Sequence, residues 1–184
     1  VIAEQQSVPQ MQLRAALYLM GHQKEAENLV HYSYAMVSLQ GMRMSGRLGR
    51  YVSFDEVYSL VKREVEKVLE QKGGNREAVD DIVNAAIRYA IASVSASKQL
   101  SFNVSAVVNL EQNSGPYLQY TYARAYNILE KATDEMRVEE ADLDYIKGDI
   151  RKLLIELVKF PEVAKKACDE LRPEDLVSYL REVA

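Results

Sequence analysis

The side chains most able to do chemistry in this 184-residue chain cluster in GMRMSGRLGRYVSF, residues 41–54. The stretch carries Arg43, Arg47 and Arg50, three glycines and no acid, in a chain of net charge −4. Guanidinium groups present rigid forks of donors that match phosphate oxygens. Glycines let the backbone approach a ligand closely. The loop can therefore fold over a polyphosphate, or be a solvated turn, and composition alone leaves both open. It lacks the Gly-Lys-Ser/Thr ending of a P-loop. A second set is Tyr117 and Tyr120, on the same helix side as Arg124 and Lys131. Aromatics interleaved with cations stack on bases and hold phosphates, while tyrosines on a helix also pack against neighbours with the hydroxyl at the rim. His22 and His31 are too few for a metal site or a catalytic triad. Cys168 lies on a mostly charged late segment and reads as a packing residue. The acidic stretch 134–144 has no metal-loop spacing and reads as a solvated face.

These residues need elements to position them. VIA, residues 1–3, is compatible with the end of a buried strand. Met11, Leu13, Leu17 and Met20 fall at helical intervals, and Gly21 sits where a C′ glycine ends a helix. HYSYAMVSL, residues 31–39, alternates and is rich in Tyr and Val, so it reads as one strand leading into the basic loop. Ser53 and Glu56 form a capping box, followed by a stripe of Val57, Leu60, Val61, Val65, Val68 and Leu69. Gly73-Gly74 ends that helix and Asn75 caps the next, whose apolar positions are Val79, Ile82, Val83, Ala86, Ala90 and Val94, widened by Ile87 and Ile91. Residues 101–110 fit strand or helix. After Gly115-Pro116, the spacing of Leu118, Tyr122, Ala125 and Leu129 predicts a core stripe. Three more helices are predicted over 143–159, 161–170 and 173–184, with Pro161 and Pro173 in first turns.

Eight glycines and four prolines favour long helices over a turn-rich β fold. Apolar content of 48% with 27% charged residues excludes a disordered chain. A single cysteine excludes an internal disulfide and a zinc cluster, and points to a reducing compartment. No apolar run reaches the ~18 residues of a membrane span, so no membrane partner is expected and the compartment is expected to be cytoplasmic.

In order, these stretches resemble the arginyl-tRNA synthetases, a class I aminoacyl-tRNA synthetase family. MRMSGRLGRYVSFDEV is similar to the family's KMSKS signature loop and the helix after it. NSGPYLQYTYAR resembles the opening of its helical anticodon-binding domain, and KFPEVAKKACDELRPEDLVSYLREVA a later part of it. VIAEQQ and HYSYAMV resemble the last strands of the catalytic Rossmann domain. The resemblance implies a mainly α chain: a short α/β tail of a Rossmann domain over 1–52, a helical connecting region over 53–112, and part of a helical anticodon-binding bundle over 113–184. The implied activity is ATP-dependent arginylation of arginine tRNA, with L-arginine, ATP and its Mg²⁺ as substrates and no protein-bound metal. Arginine's carboxylate attacks the α-phosphate of ATP, pyrophosphate leaves, and the arginyl group passes to the tRNA 3′ end.

Residue by residue, the resemblance gives Arg43, Met44 and Ser45 the first three signature positions and Gly46 the place of the second lysine, with Arg47 counted among the loop's catalytic residues. Met44 and His31 would lie near ATP, Gln6 would read the substrate guanidinium, and Tyr117, Gln119, Tyr120 and Arg124 would lie near tRNA. Arg43 keeps the charge of the usual lysine with a different geometry, and Leu48 replaces a further basic residue. No HxGH-type signature occurs. The expectation is an internal piece of a synthetase, inactive in isolation, with exposed apolar surface where other parts would pack. Its oligomeric state stays open. The alternatives are a free-standing helical tRNA-binding module without catalysis, or a helical interaction domain without RNA. The net negative charge weighs mildly against a dedicated RNA binder.

Overall fold

A computed structural model describes residues 1–41, 52–132 and 146–184. Arg43, Met44, Ser45, Gly46 and Arg47 lie outside the described residues, as does the acidic stretch 134–144. The described chain is mainly helical, with two small parallel β ladders.

Strand β1 (Ile2–Ala3) passes through a 3₁₀ turn, Glu4–Gln6, into helix α1 (Ser7–Leu19). At its end Gly21 takes φ +84°, with its N–H bonded to the Tyr18 carbonyl and that of His22 to Leu17. This is the paired hydrogen-bond pattern that a left-handed C′ residue permits. Helix α2 (Gln23–Asn28) follows. Its sequence, QKEAEN, has no apolar stripe, so only Ala26 is buried; Arg14 Nε holds it by donating to the Ala26 carbonyl at 2.8 Å.

The single strand predicted over 31–39 is two strands. β2 (Ser33–Tyr34) pairs in parallel with β1, and β3 (Val37–Leu39) pairs in parallel with β4 (Leu100–Phe102). The chain changes partner at Ala35, whose N–H bonds the Ala96 carbonyl at 2.7 Å. Alternation reports faces, not partners, so it could not register the exchange. The ambiguous stretch 101–110 resolves into the end of β4 and a short helix α5 (Val104–Val107), capped by Asn103.

Helix α3 (Phe54–Lys72) begins at the predicted capping box: Glu56 N–H donates to Ser53 Oγ, and Ser53 N–H to Glu56 Oε2 at 2.7 Å. Helix α4 (Val79–Ala92) starts after a 3₁₀ turn that Asn75 caps. The core lies between α3 and α4: Val61, Val65, Val83 and Ala86 are almost inaccessible, and Leu39, Val79, Ile87, Ala90, Phe102, Val107 and Val108 complete it. Ile91 faces out. Helix α6 (Gly115–Lys131) packs on α4. Helices α7 (Gly148–Val158), α8 (Phe160–Asp169) and α9 (Pro173–Val183) form a small cluster that touches α4 through α9. The ring of Phe160 meets that of Tyr179 at 5.8 Å.

The core stripe predicted on α6 is not core, and the helically spaced apolar residues of α1 are mostly uncovered too, among the described residues. On α6, Leu118 is half-buried but Tyr122, Ala125 and Leu129 are exposed; on α1, Leu17 is half-buried but Met11, Leu13 and Met20 are exposed. Periodicity identifies an apolar face and is silent on whether a partner covers it.

Candidate functional site

The parallel ladders place the first group of site residues. Gln6 is exposed and closes the 3₁₀ turn that leaves the carboxyl end of β1. Past the carboxyl end of β3 the Gln40 N–H still bonds the Phe102 carbonyl at 2.9 Å, and the described chain runs to Gly41, next in sequence to the basic residues. Carboxyl ends of parallel strands are where open α/β sheets take ligands, because loops diverge there and leave a crevice. His31 precedes β2, off the opposite end of its ladder with β1, and its Nε2 lies 3.1 Å from the Ile2 carbonyl oxygen. The structure therefore does not gather Gln6 and His31 at one end of the ladder.

The second group is built on α6. Ser114 is fully buried; its Oγ accepts the Tyr117 N–H and donates to the Asn109 carbonyl. Pro116 takes a first-turn position, where its missing N–H costs nothing. Gly115 lies so close to α4 that a Cβ there would stand 2.1 Å from the Ala85 carbonyl oxygen. One turn on, Gln119 Nε2 donates to the Asp81 carbonyl of α4 at 3.3 Å. Gln119 is thus engaged with α4.

Tyr120 and Arg124 point elsewhere. Both are exposed, and the Arg124 guanidinium carbon lies 5.7 Å from the centre of the Tyr120 ring. At that range the ring's negative face attracts the cation, so a flat aromatic surface and a phosphate-seeking group are held together. Tyr117 is half-buried at the helix start. Farther along, the exposed rings of Tyr122 and Tyr126 stand 6.2 Å apart. The predicted core stripe included Tyr122 and passed over Tyr126; their four-residue spacing, which makes them neighbours on a helix, was the available signal.

The α3–α4 pair that carries α6 is pinned at its edge. Asp80 Oδ1 accepts Lys62 Nζ at 2.7 Å and the Tyr58 hydroxyl at 3.0 Å. Lys62 first, then Tyr58, holds the Asp80 carboxyl below its ordinary range, and Asp80 in turn raises Lys62. Among the described residues no cluster of three or more His, Cys, Asp or Glu is arranged to hold a metal ion. None of their helices is long and apolar enough to cross a membrane.

Residues 118–184, which include the exposed α6 surface, match the DALR anticodon binding domain family. Over all 184 residues the chain is 62% identical to an arginine–tRNA ligase of Sulfurisphaera tokodaii and 60% identical to that of Sulfolobus acidocaldarius. Over its whole length the chain is similar to arginyl-tRNA synthetases. It spans about 30% of the length of these synthetases. In three dimensions it is similar to the Thermus thermophilus arginyl-tRNA synthetase, with a TM-score of 0.86 and 33% identity over 99% of this chain and 30% of that one. A Plasmodium falciparum arginyl-tRNA synthetase, 17% identical, shares the fold at a TM-score of 0.67 over 99% of this chain and 32% of that one. The helical architecture is thus that of the synthetase family.

Proposed function

We propose that the chain serves ATP-dependent arginylation of tRNA, supplying an RNA-facing helical surface and the strand ends beside the nucleotide. The observation that carries the RNA part is the Tyr120–Arg124 pair, exposed on α6 inside the region matching an anticodon-binding family. Tyr120 offers a stacking platform and Arg124 a guanidinium for phosphate or base edges. Tyr117, at the start of the same helix, extends this surface. Gln119 belongs to the same stretch and acts on RNA through the helix it holds.

On the catalytic side, the reading is supported by two chain segments leaving the carboxyl ends of parallel strands. Gln6 is assigned to accept a hydrogen bond from the arginine guanidinium through its side-chain carbonyl. His31 and Met44 are assigned to the nucleotide. Negative charge builds on the departing pyrophosphate, so Arg43 and Arg47 stabilise the transition state more than the bound substrate, with Met44, Ser45 and Gly46 as the rest of that signature. Mg²⁺ enters with ATP as substrate. Within these 184 residues no HxGH-type signature occurs. The chain alone is accordingly assigned no adenylate formation, and arginine-dependent pyrophosphate exchange by the purified chain would refute that.

The test of the RNA reading is fluorescence anisotropy of a labelled arginine tRNA at two salt concentrations, with a non-cognate tRNA as control. Salt-sensitive binding that favours the arginine tRNA is expected, because phosphate contacts release counterions. Equal binding to both, or none, overturns the assignment of α6 to tRNA recognition.

A further inference from the structure

Helix α6 is gripped at one end. Gly115 and Pro116 are buried, Tyr117 through Gln119 are half-buried, and every residue from Tyr122 to Ala132 is exposed. The grip has three parts. Ser114 caps the helix while bonding the Asn109 carbonyl. Gly115 admits the backbone of Ala85 and Ala86, whose atoms would stand 2.1–2.9 Å from any Cβ. Gln119 Nε2 reaches the Asp81 carbonyl.

Gly115 and Gln119 are four residues apart, so they form one ridge about a turn long on the helix. Tyr120 and Arg124 form a second ridge, one residue on, rotated by about 100°. A helix is stiff over this length. Two contacts along one ridge therefore fix both its tilt and its rotation, and with them the direction in which the second ridge faces. We propose that Gly115 and Gln119 are positioning residues for RNA binding: they lock α6 onto α4 so that Tyr120 and Arg124 face the RNA together. This rests on the RNA-binding reading of α6. It gives Gln119 a role through α4 where its exposed neighbours act by contact, and it gives a role to Gly115, which the sequence marks only as a helix start.

The test is a binding cycle on the 184-residue chain, with a labelled transcript of an arginine tRNA as probe. Gly115→Ala forces α6 off its seat, and Gln119→Met removes the donor at similar volume. Each is expected to weaken binding about tenfold, the scale of one lost base-stacking contact. Arg124→Ala should lower the salt slope by about one in the parent chain, and should add nothing further on either joint variant. That non-additivity separates positioning from mere loss of stability, because independent defects add. A spin-label distance between Asn84 on α4 and Glu130 on α6 should broaden in both joint variants while helical circular dichroism is retained. If Gly115→Ala unfolds α6, Gln119→Met decides alone. Parental binding by the joint variants, or a full extra loss on adding Arg124→Ala, refutes the proposal and leaves the RNA reading standing. No binding by the parent chain refutes both.

Discussion

Asp80 accepts hydrogen bonds from two α3 side chains, Lys62 and Tyr58, and so pins the first turn of α4 to its neighbour. Its lowered pKa fixes the sign of the pH dependence. The folded state holds the carboxylate more tightly than the unfolded chain does. The stabilising contribution is therefore complete above the ordinary carboxylate range and is lost as pH falls through the lowered folded value. Lys62 runs the other way: its raised pKa keeps its contribution present at neutral pH and loses it only at strongly alkaline pH. Because the pair is exposed, its effect is small and salt-sensitive. In thermal melts, Asp80→Asn should lower the midpoint slightly at pH 7 in low salt, and the gap from the parent should close at acid pH or in molar salt. A gap of constant size across pH would show that the carboxylate is not its source.

At the scale of elements, the helix ends carry much of the specification. Gly21 adopts φ +84° with open space where a Cβ would be. Gly21→Ala should therefore destabilise the chain by about 1–2 kcal/mol through backbone strain alone, read as a drop in urea midpoint at unchanged slope. Leu171 takes φ +55° at the equivalent place after α8, with its N–H bonded to Cys168 and that of Arg172 to Ala167. The same hydrogen bonds form around a side chain there, at the cost that Gly21 avoids. The capping box at Ser53 and Glu56 was legible before any coordinates, because both partners lie within one turn and need nothing else. The proline starts of α8 and α9 were legible for the same local reason. The division of 31–39 between two ladders was not, since it depends on β1 and β4, which are far away along the chain.

For the whole molecule, one buried centre holds the α3–α4 pair, the β3–β4 ladder and α5 together. Ile87 sits in it at 5% exposure. Ile87→Ala should cost about 2–5 kcal/mol in urea unfolding, from lost burial plus the cavity left behind. Away from that centre the chain carries bare apolar faces: Met11 and Leu13 on α1, Tyr122 and Leu129 on α6, Ile155 and Val158 on α7. Apolar surface on this scale drives association in water. Sedimentation of the purified chain should show an average mass that rises with protein concentration, and a monomer at all concentrations would exclude such association.

The sequence by itself determined the longer helices, several of their caps and the order of motifs that resembles the arginyl-tRNA synthetases. These features are local: a cap or a stripe is written within a few turns of chain. It also put Tyr120 and Arg124 on one helix side, since four-residue spacing makes them neighbours whatever surrounds them, and left open whether that side is covered. Only the tertiary structure decided which apolar stripes are covered. The stripe on α4 is core and the equally regular one on α6 is not, because burial depends on a partner that periodicity does not encode. Only the tertiary structure, too, turned Gly115 from a helix start into a contact with Ala85, and Gln119 into a bond to Asp81. Those contacts join residues 30 and 38 positions apart, and the direction of the ridge proposed to face RNA follows from where α4 lies in space.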